Sequence, residues 1–274
     1  MGAAFLPRPP EMGAWYSHRM NMARKILNVS NFLVTLVVVL CILSAAGYAI
    51  YSLWDDQRIY TTAENVQADM LRYKPVIDED GKASFEELQA INSDVCAWIT
   101  LDGTNIDYPV LQGTTNLTYI NKDVYGNFAL SGSIFLDSRN NRDFTDSYNL
   151  LYGHHMAASK MFGDLDKYKE ETFFEENTSG MLLLPDSSYK LEIFACLLTG
   201  AGEDEIFDPE KWQTDIDGLL SFVEANSLHL RNELLEELKQ MDNGKVLAMS
   251  TCSTDFTDAR TIILAVMEPY QTAD

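Results

Sequence analysis

Twenty-three consecutive residues, Phe32–Trp54, carry no charged side chain, and this run divides the rest of the chain in two. As an α-helix it would be roughly 35 Å long, more than the ~30 Å hydrocarbon core of a bilayer. A helix apolar on every side has no stable place on a water-exposed surface. Arg24 and Lys25 precede the run, and Asp55 and Asp56 follow it. Cationic flanks stay in the cytoplasm, so the N-terminus is expected inside and everything after Trp54 outside. Tyr48, Tyr51 and Trp54 suit the outer interface. A cleaved signal peptide is the alternative, because Ser44-Ala45-Ala46 resembles a cleavage site, although such cores usually run only ~7–15 residues. The expected layout is a tail over 1–31, a membrane helix over 32–54, an outside stalk over 55–83 and a folded body over 84–274.

Charge narrows what that body can bind. The chain has a formal net charge of -21. Arg8, Arg19, Arg24 and Lys25 against Glu11 give the first 30 residues +3, which leaves -24 for the remainder. A body so acidic has no footprint for nucleic acid. The charge reads as a soluble, self-repelling surface.

The stalk, 55–74, has helical but mixed polarity up to Pro75. Asp78-Glu79-Asp80-Gly81-Lys82 reads as a solvated turn, since the glycine is misplaced for a calcium loop. Ser84 and Glu87 fit a capping box opening a short helix to about Ile91. From Trp98 to about Leu136, glycines and Pro109 split the sequence into short strands at the spacing of a barrel or sandwich. Tyr148–Tyr152 reads as a strand ended by Gly153, Met161–Tyr168 as helical and Ser188–Leu198 as strand. Asp215 to about Met241 has helical spacing and is expected as one long helix or two. The fold class is therefore mainly β with flanking helices.

The chemistry concentrates near the C-terminus. Val246-Leu247-Ala248-Met249-Ser250-Thr251-Cys252 and Arg260-Thr261-Ile262-Ile263-Leu264-Ala265-Val266 read as two buried strands joined by a loop. Antiparallel pairing would bring the end of the first, Cys252, to the start of the second, Arg260. A permanent cation beside a thiol favours the nucleophilic thiolate. Of the other cysteines, Cys41 lies in the apolar run, and Cys96 and Cys196 lie in hydrophobic stretches that suit inert core positions. A Cys96–Cys196 bridge is the alternative outside the cell. Cys252 stays unpaired in either case.

A cysteine nucleophile needs a proton shuttle, usually histidine. His18 lies before the membrane run and His229 in the expected amphipathic helix. His154 and His155 remain, directly after Gly153, which would permit a tight turn that projects the next side chain. A lone His-His pair also suits a structural or surface role. No third ligand at familiar spacing supports a metal site, and no serine-hydrolase elbow or phosphate loop is present.

Ser250-Thr251-Cys252 with Arg260 after it, and Tyr152-Gly153-His154 far upstream, resembles the sortases, the cysteine transpeptidases of Gram-positive cell surfaces. Thr104–Val110, Gly132–Asp137, Tyr152–Met156, Met161-Phe162 and the helical insertion before the last strands are similar to class B in particular. The likeness runs from about Ser84 to Glu268. It implies a closed eight-stranded β-barrel with flanking helices. It also implies Cys252 as nucleophile, His154 rather than His155 as general acid and base, and Arg260 as the oxyanion or substrate stabiliser. Asp255 falls where class B members often carry an acidic residue.

The resemblance further implies the reaction and its partners. A sorting-motif peptide of a secreted surface protein would be cleaved through a thioester and joined to an amine of peptidoglycan or a pilin, with no cofactor and no metal. The anchor over 32–54 would hold the enzyme in the cell membrane. A thiol peptidase and a catalytically idle peptide-binding module are the other readings. An amine acceptor separates all three.

Overall fold

The computed structural model describes residues 12–77, 83–200, 204–252 and 259–270. The chain forms two compact units, Met1–Gln57 and Arg58–Asp274. Helix α1 (Met12–Met70) runs through the described part of the first unit and into the second. It is long and apolar enough to cross a membrane. Leu33, Val37, Leu40 and Leu43 stay exposed along it.

In the second unit, eight strands close into a barrel. They are β1 (Val95–Leu101), β2 (Asp107–Leu111), β3 (Ile134–Leu136), β4 (Tyr148–Met156), β6 (Ser179–Leu183), β7 (Ser188–Gly200), β9 (Val246–Cys252) and β10 (Ala259–Pro269). The order is β10-β9-β4-β3-β2-β1-β6-β7, and β7 pairs back to β10. Closure removes the exposed edges that an open sheet of these strands would present. Two short strands hang on the ring: β5 (Lys160–Met161) on β4 and β8 (Ser227–Leu230) on β7. Pairing is antiparallel except at β2–β3 and β4–β9.

Strand alternation separates two apolar layers. Leu247, Met249, Ile263 and Ala265 point to the barrel interior with Ile99, Val110, Leu151 and Ile193. Val246, Ala248, Ile262 and Leu264 face outward, where Trp212, Leu219, Val223 and Leu235 cover them. Those covering residues come from helices α4 (Pro209–Thr214), α5 (Ile216–Asn226) and α6 (Asn232–Lys239). Asp208 and Asp215 cap α4 and α5 by accepting from the N–H groups of Lys211 and Gly218.

The stalk expected over 55–83 is not free chain in its second half. Ala63 and Met70 are buried, and Ile59, Tyr60 and Val66 pack on the two apolar layers. The helix gives way to a 3₁₀ turn at Leu71–Tyr73, just before Pro75. The acidic turn at 78–82 lies outside the described residues.

Four local expectations are corrected. The short helix α2 (Glu86–Ile91) has Phe85 at its N-cap with no side-chain cap, so the Ser84–Glu87 box does not form. Met161–Tyr168 is strand β5 followed by a 3₁₀ turn over Gly163–Lys169. The run after Asp215 forms two helices, α5 and α6, as one of the two expected forms, but the spacing did not show the strand β8 between them, where residues 227–230 add to the edge of β7. His229 therefore sits on a strand, its Nε2 at 2.8 Å from the Lys169 carbonyl. Gly153 does not end a strand, since β4 runs through it to Met156. What requires glycine there is space: a Cβ would stand 2.7 Å from the Phe162 ring.

The residues after β3 are tied by a buried carboxylate. Asp137 is fully buried and receives Arg139 Nε on Oδ1 at 2.9 Å and Nη2 on Oδ2 at 2.8 Å. Asn116 Nδ2 and Tyr152 Oη donate to the same Oδ2. Burial alone would raise this carboxyl, but the Arg139 hydrogen bonds outweigh it and hold it below the usual range.

Two outcomes follow, both read as urea midpoints of the full chain in detergent. Gly153→Ala lowers stability by about 1–3 kcal/mol through overpacking, and Phe162→Leu in the same chain recovers part of it. Asp137→Asn costs stability at neutral pH toward the low end of ~3–5 kcal/mol, because Arg139 keeps some solvent. The parent's contribution from Asp137 is full above the unfolded carboxyl value of ~3.9 and is lost as pH falls toward the depressed native value. The gap between parent and variant therefore narrows below about pH 4.

Candidate active site

Strands β4 and β9 run parallel in one unbroken register from Tyr148↔Val246 to His154↔Cys252. His154 and Cys252 are thus Cα partners on adjacent strands, whose axes lie ~4.8 Å apart. On the other side of β9, β10 pairs antiparallel, with Ile262 opposite Ser250. Two further residues in that register bring Arg260 to the level of Cys252. The Thr261 N–H donates to Thr251 Oγ1 at 3.3 Å across the same gap. By alternation, positions 154, 252 and 260 share the outward face with Leu150, Ala248 and Ile262. The barrel therefore gathers the three residues singled out in the sequence at one end of three neighbouring strands.

His154 is half-buried, and its orientation is set by the long connection from β2 to β3. Its Nε2 lies 2.6 Å from the Ile120 carbonyl oxygen. A carbonyl can only accept, so Nε2 is the donor in this contact. Gly132 closes the other side at a φ of +56°, where a Cβ would approach the Ile120 oxygen to 2.5 Å and the His154 ring to 3.0 Å. Both the left-handed backbone and the close approach require glycine.

Arg260 is half-buried, and its Nε is a buried donor without a partner. Its guanidinium carbon lies 5.0 Å from the centre of the Phe207 ring. No carboxylate pairs with it among the described residues. At least its Nε–H is therefore not committed to any described group.

His155 is used differently. It points to the opposite face and lies 3.1 Å from Asp166 Oδ2. Thr261 Oγ1 donates to the other oxygen at 2.5 Å, and Lys169 Nζ stands 2.9 Å from Oδ2. The hydrogen bond from His155 is foremost in holding this carboxyl well below its usual range, with those from Thr261 and Lys169 overcoming the opposing burial. Asp166 thereby ties the neighbour of His154 on β4 to the neighbour of Arg260 on β10, beneath the strand that carries Cys252.

Cys96 and Cys196 are free and buried, with no bridge between them. Burial pushes both thiols up to about 12, so they stay protonated. Asp255 and the rest of 253–258 lie outside the described residues. Among the described residues no group of three or more His, Cys, Asp or Glu is placed to hold a metal ion.

The roles of the Ile120 carbonyl, Phe207 and Asp166 were not found by sequence reasoning, because each reaches the site only through a long-range contact. Gly132 stood in the Gly132–Asp137 stretch, but its packing against His154 was not foreseen.

No protein-family model matches the chain. The crystal structure of a Streptococcus pyogenes class B sortase involved in pilus biogenesis is 39% identical, covers 68% of this chain and 98% of its own, and superposes with a TM-score of 0.60. A mutant form of Clostridium perfringens sortase B is 33% identical over 66% of this chain and 85% of its own, with a TM-score of 0.60. Sortase B of Listeria monocytogenes is 29% identical over 83% of this chain and 92% of its own length. A closed eight-stranded barrel of the sortase type, with histidine, cysteine and arginine converging at one end, thus accompanies substantial identity over most of these relatives, and the chain belongs to the class B sortases.

Proposed function

We propose that this protein is a membrane-anchored cysteine transpeptidase with Cys252 as nucleophile, His154 as general acid and base, and Arg260 as the oxyanion partner. The observation that carries the reading is the pairing of His154 with Cys252 across β4 and β9. The unpartnered Nε of Arg260 on the next strand supports it. The membrane helix would lie over 32–54 with the N-terminus in the cytoplasm, as Arg24 and Lys25 favour, and the body of 84–274 outside.

The Cys252 thiolate attacks the carbonyl carbon of a Thr-Gly or similar bond in a sorting motif near the C-terminus of a secreted surface protein. The carbonyl π pair moves onto oxygen, and Arg260 faces the charge that develops. Collapse of the tetrahedral species breaks the C–N bond, and the departing amine takes a proton from His154. A thioester remains. An amine of peptidoglycan or of a pilin then attacks it, His154 accepts the amine's proton, and the C–S bond breaks to release the Cys252 thiolate, which restores the starting pair. Pilus biogenesis is stated for the Streptococcus pyogenes relative; that role supports testing a lysine-type acceptor here.

The test uses the full chain in detergent with a panel of internally quenched sorting peptides, each with and without a glycine, lysine or diaminopimelate amine. The expected result is ligated product that depends on the amine, with activity falling at least about a thousandfold in Cys252→Ala. Arg260→Ala is expected to lower kcat by about 10²–10³, as for loss of a single oxyanion donor. Cleavage without ligation would make the protein a thiol peptidase. Peptide binding with no cleavage and no Cys252 adduct would make it a binding module.

A further inference from the structure

An arginine that must meet an oxyanion has to be held in advance, yet a carboxylate clamp would occupy its donors and neutralise its charge. Arg139 illustrates that fate. Its Nε and Nη2 are bound to Asp137, and Nη2 also donates to the Phe207 carbonyl at 2.7 Å. Among the described residues Arg260 has no such clamp. The face of the Phe207 ring attracts a cation through its quadrupole and takes none of its N–H groups.

The ring is itself held with care. It stacks on Tyr152 at 6.4 Å and 23°. The backbone around it is held by three successive carbonyls: those of Glu205, Ile206 and Phe207 accept from Trp212 Nε1, Tyr148 Oη and Arg139 Nη2, each at 2.7 Å. Asp137 stands behind both restraints, since it binds Arg139 and accepts from Tyr152 Oη at 3.1 Å.

We propose that Phe207 is a positioning residue for the transfer reaction, orienting the Arg260 guanidinium through its ring face, with Arg139 fixing where Phe207 stands. The inference rests on the reading of Arg260 as the oxyanion partner. It deepens that reading by assigning the orientation of the charge to an aromatic side chain on the connection between β7 and α4. A residue that only walled the peptide groove would affect substrate binding. A residue that aims Arg260 affects the chemical step.

The experiment compares Phe207→Leu and Phe207→Tyr with the parent, as full chains in detergent. Leu keeps apolar bulk and removes the ring face, whereas Tyr keeps it. Two readouts are taken: kcat and KM on a cleaved sorting peptide, and the proton chemical shift of the Arg260 Nε–H. Leu is expected to lower kcat about tenfold with KM changed by less than about twofold, and Tyr to stay near the parent. The ring-current displacement of the Nε–H resonance should vanish in Leu and persist in Tyr. The proposal is overturned if Leu and Tyr behave alike, or if Leu raises KM with kcat unchanged. It is also overturned if the resonance does not move in Leu. A parent that cleaves no peptide overturns the functional reading instead, and the Nε–H shift then still decides whether Phe207 holds Arg260.

Discussion

The site depends on the parallel pairing of β4 with β9. Parallel neighbours cannot be joined by a tight turn, so the chain between them must cross over. Here the crossover contains β5 through β8 and helices α3 (Glu171–Glu176) to α6. The seven register pairs from Tyr148↔Val246 to His154↔Cys252 form only when that whole excursion returns to the same sheet. A slip of one residue would send His154 to the interior face and His155 outward. The buried alternation of Leu151, Leu247 and Met249 inside against Leu150, Val246 and Ala248 outside opposes any such slip.

Around that register the charges are sorted by face. The body is strongly acidic, yet two carboxylates tied to the strands of the site are already engaged. Asp137 is bound by Arg139, and Asp166 by His155, Thr261 and Lys169 on the opposite face. Among the described residues Arg260 meets an aromatic ring and no acid. A guanidinium beside the proposed nucleophile favours the thiolate and can meet an oxyanion. Surplus negative charge elsewhere serves solubility and weakens with salt. Orientation of His154 comes from neutral groups, the Ile120 carbonyl and the bare backbone of Gly132.

Much of this was legible in local sequence. The apolar run, the two C-terminal strands and the antiparallel approach of Arg260 toward Cys252 follow from composition and from a short loop, which are local properties. Other local signals misled. Ser84 and Glu87 have the chemistry of a capping box, but the helix begins at Glu86 with Phe85 buried beneath it. Residues 227–230 continue a helical spacing, but the open edge of β7 recruits them as a strand. Backbone pairing to an available edge outweighs the small differences in intrinsic propensity.

The amino-acid sequence alone determined that one segment suits a bilayer, that the body is mainly β, and that the strand ending at Cys252 pairs with the strand starting near Arg260. The family resemblance of Tyr152-Gly153-His154 and Ser250-Thr251-Cys252 singled out His154 from its neighbour. Only the tertiary structure decided how that choice is realised. Barrel closure sets the parity that places His154 on the outward face and gives His155 to Asp166. Long-range contacts bring Ile120, Gly132 and Phe207 to the site. The physical reason is range: propensity, hydropathy and turn chemistry act over a few residues, whereas strand register and the aiming of a side chain are settled by packing between segments far apart in the chain.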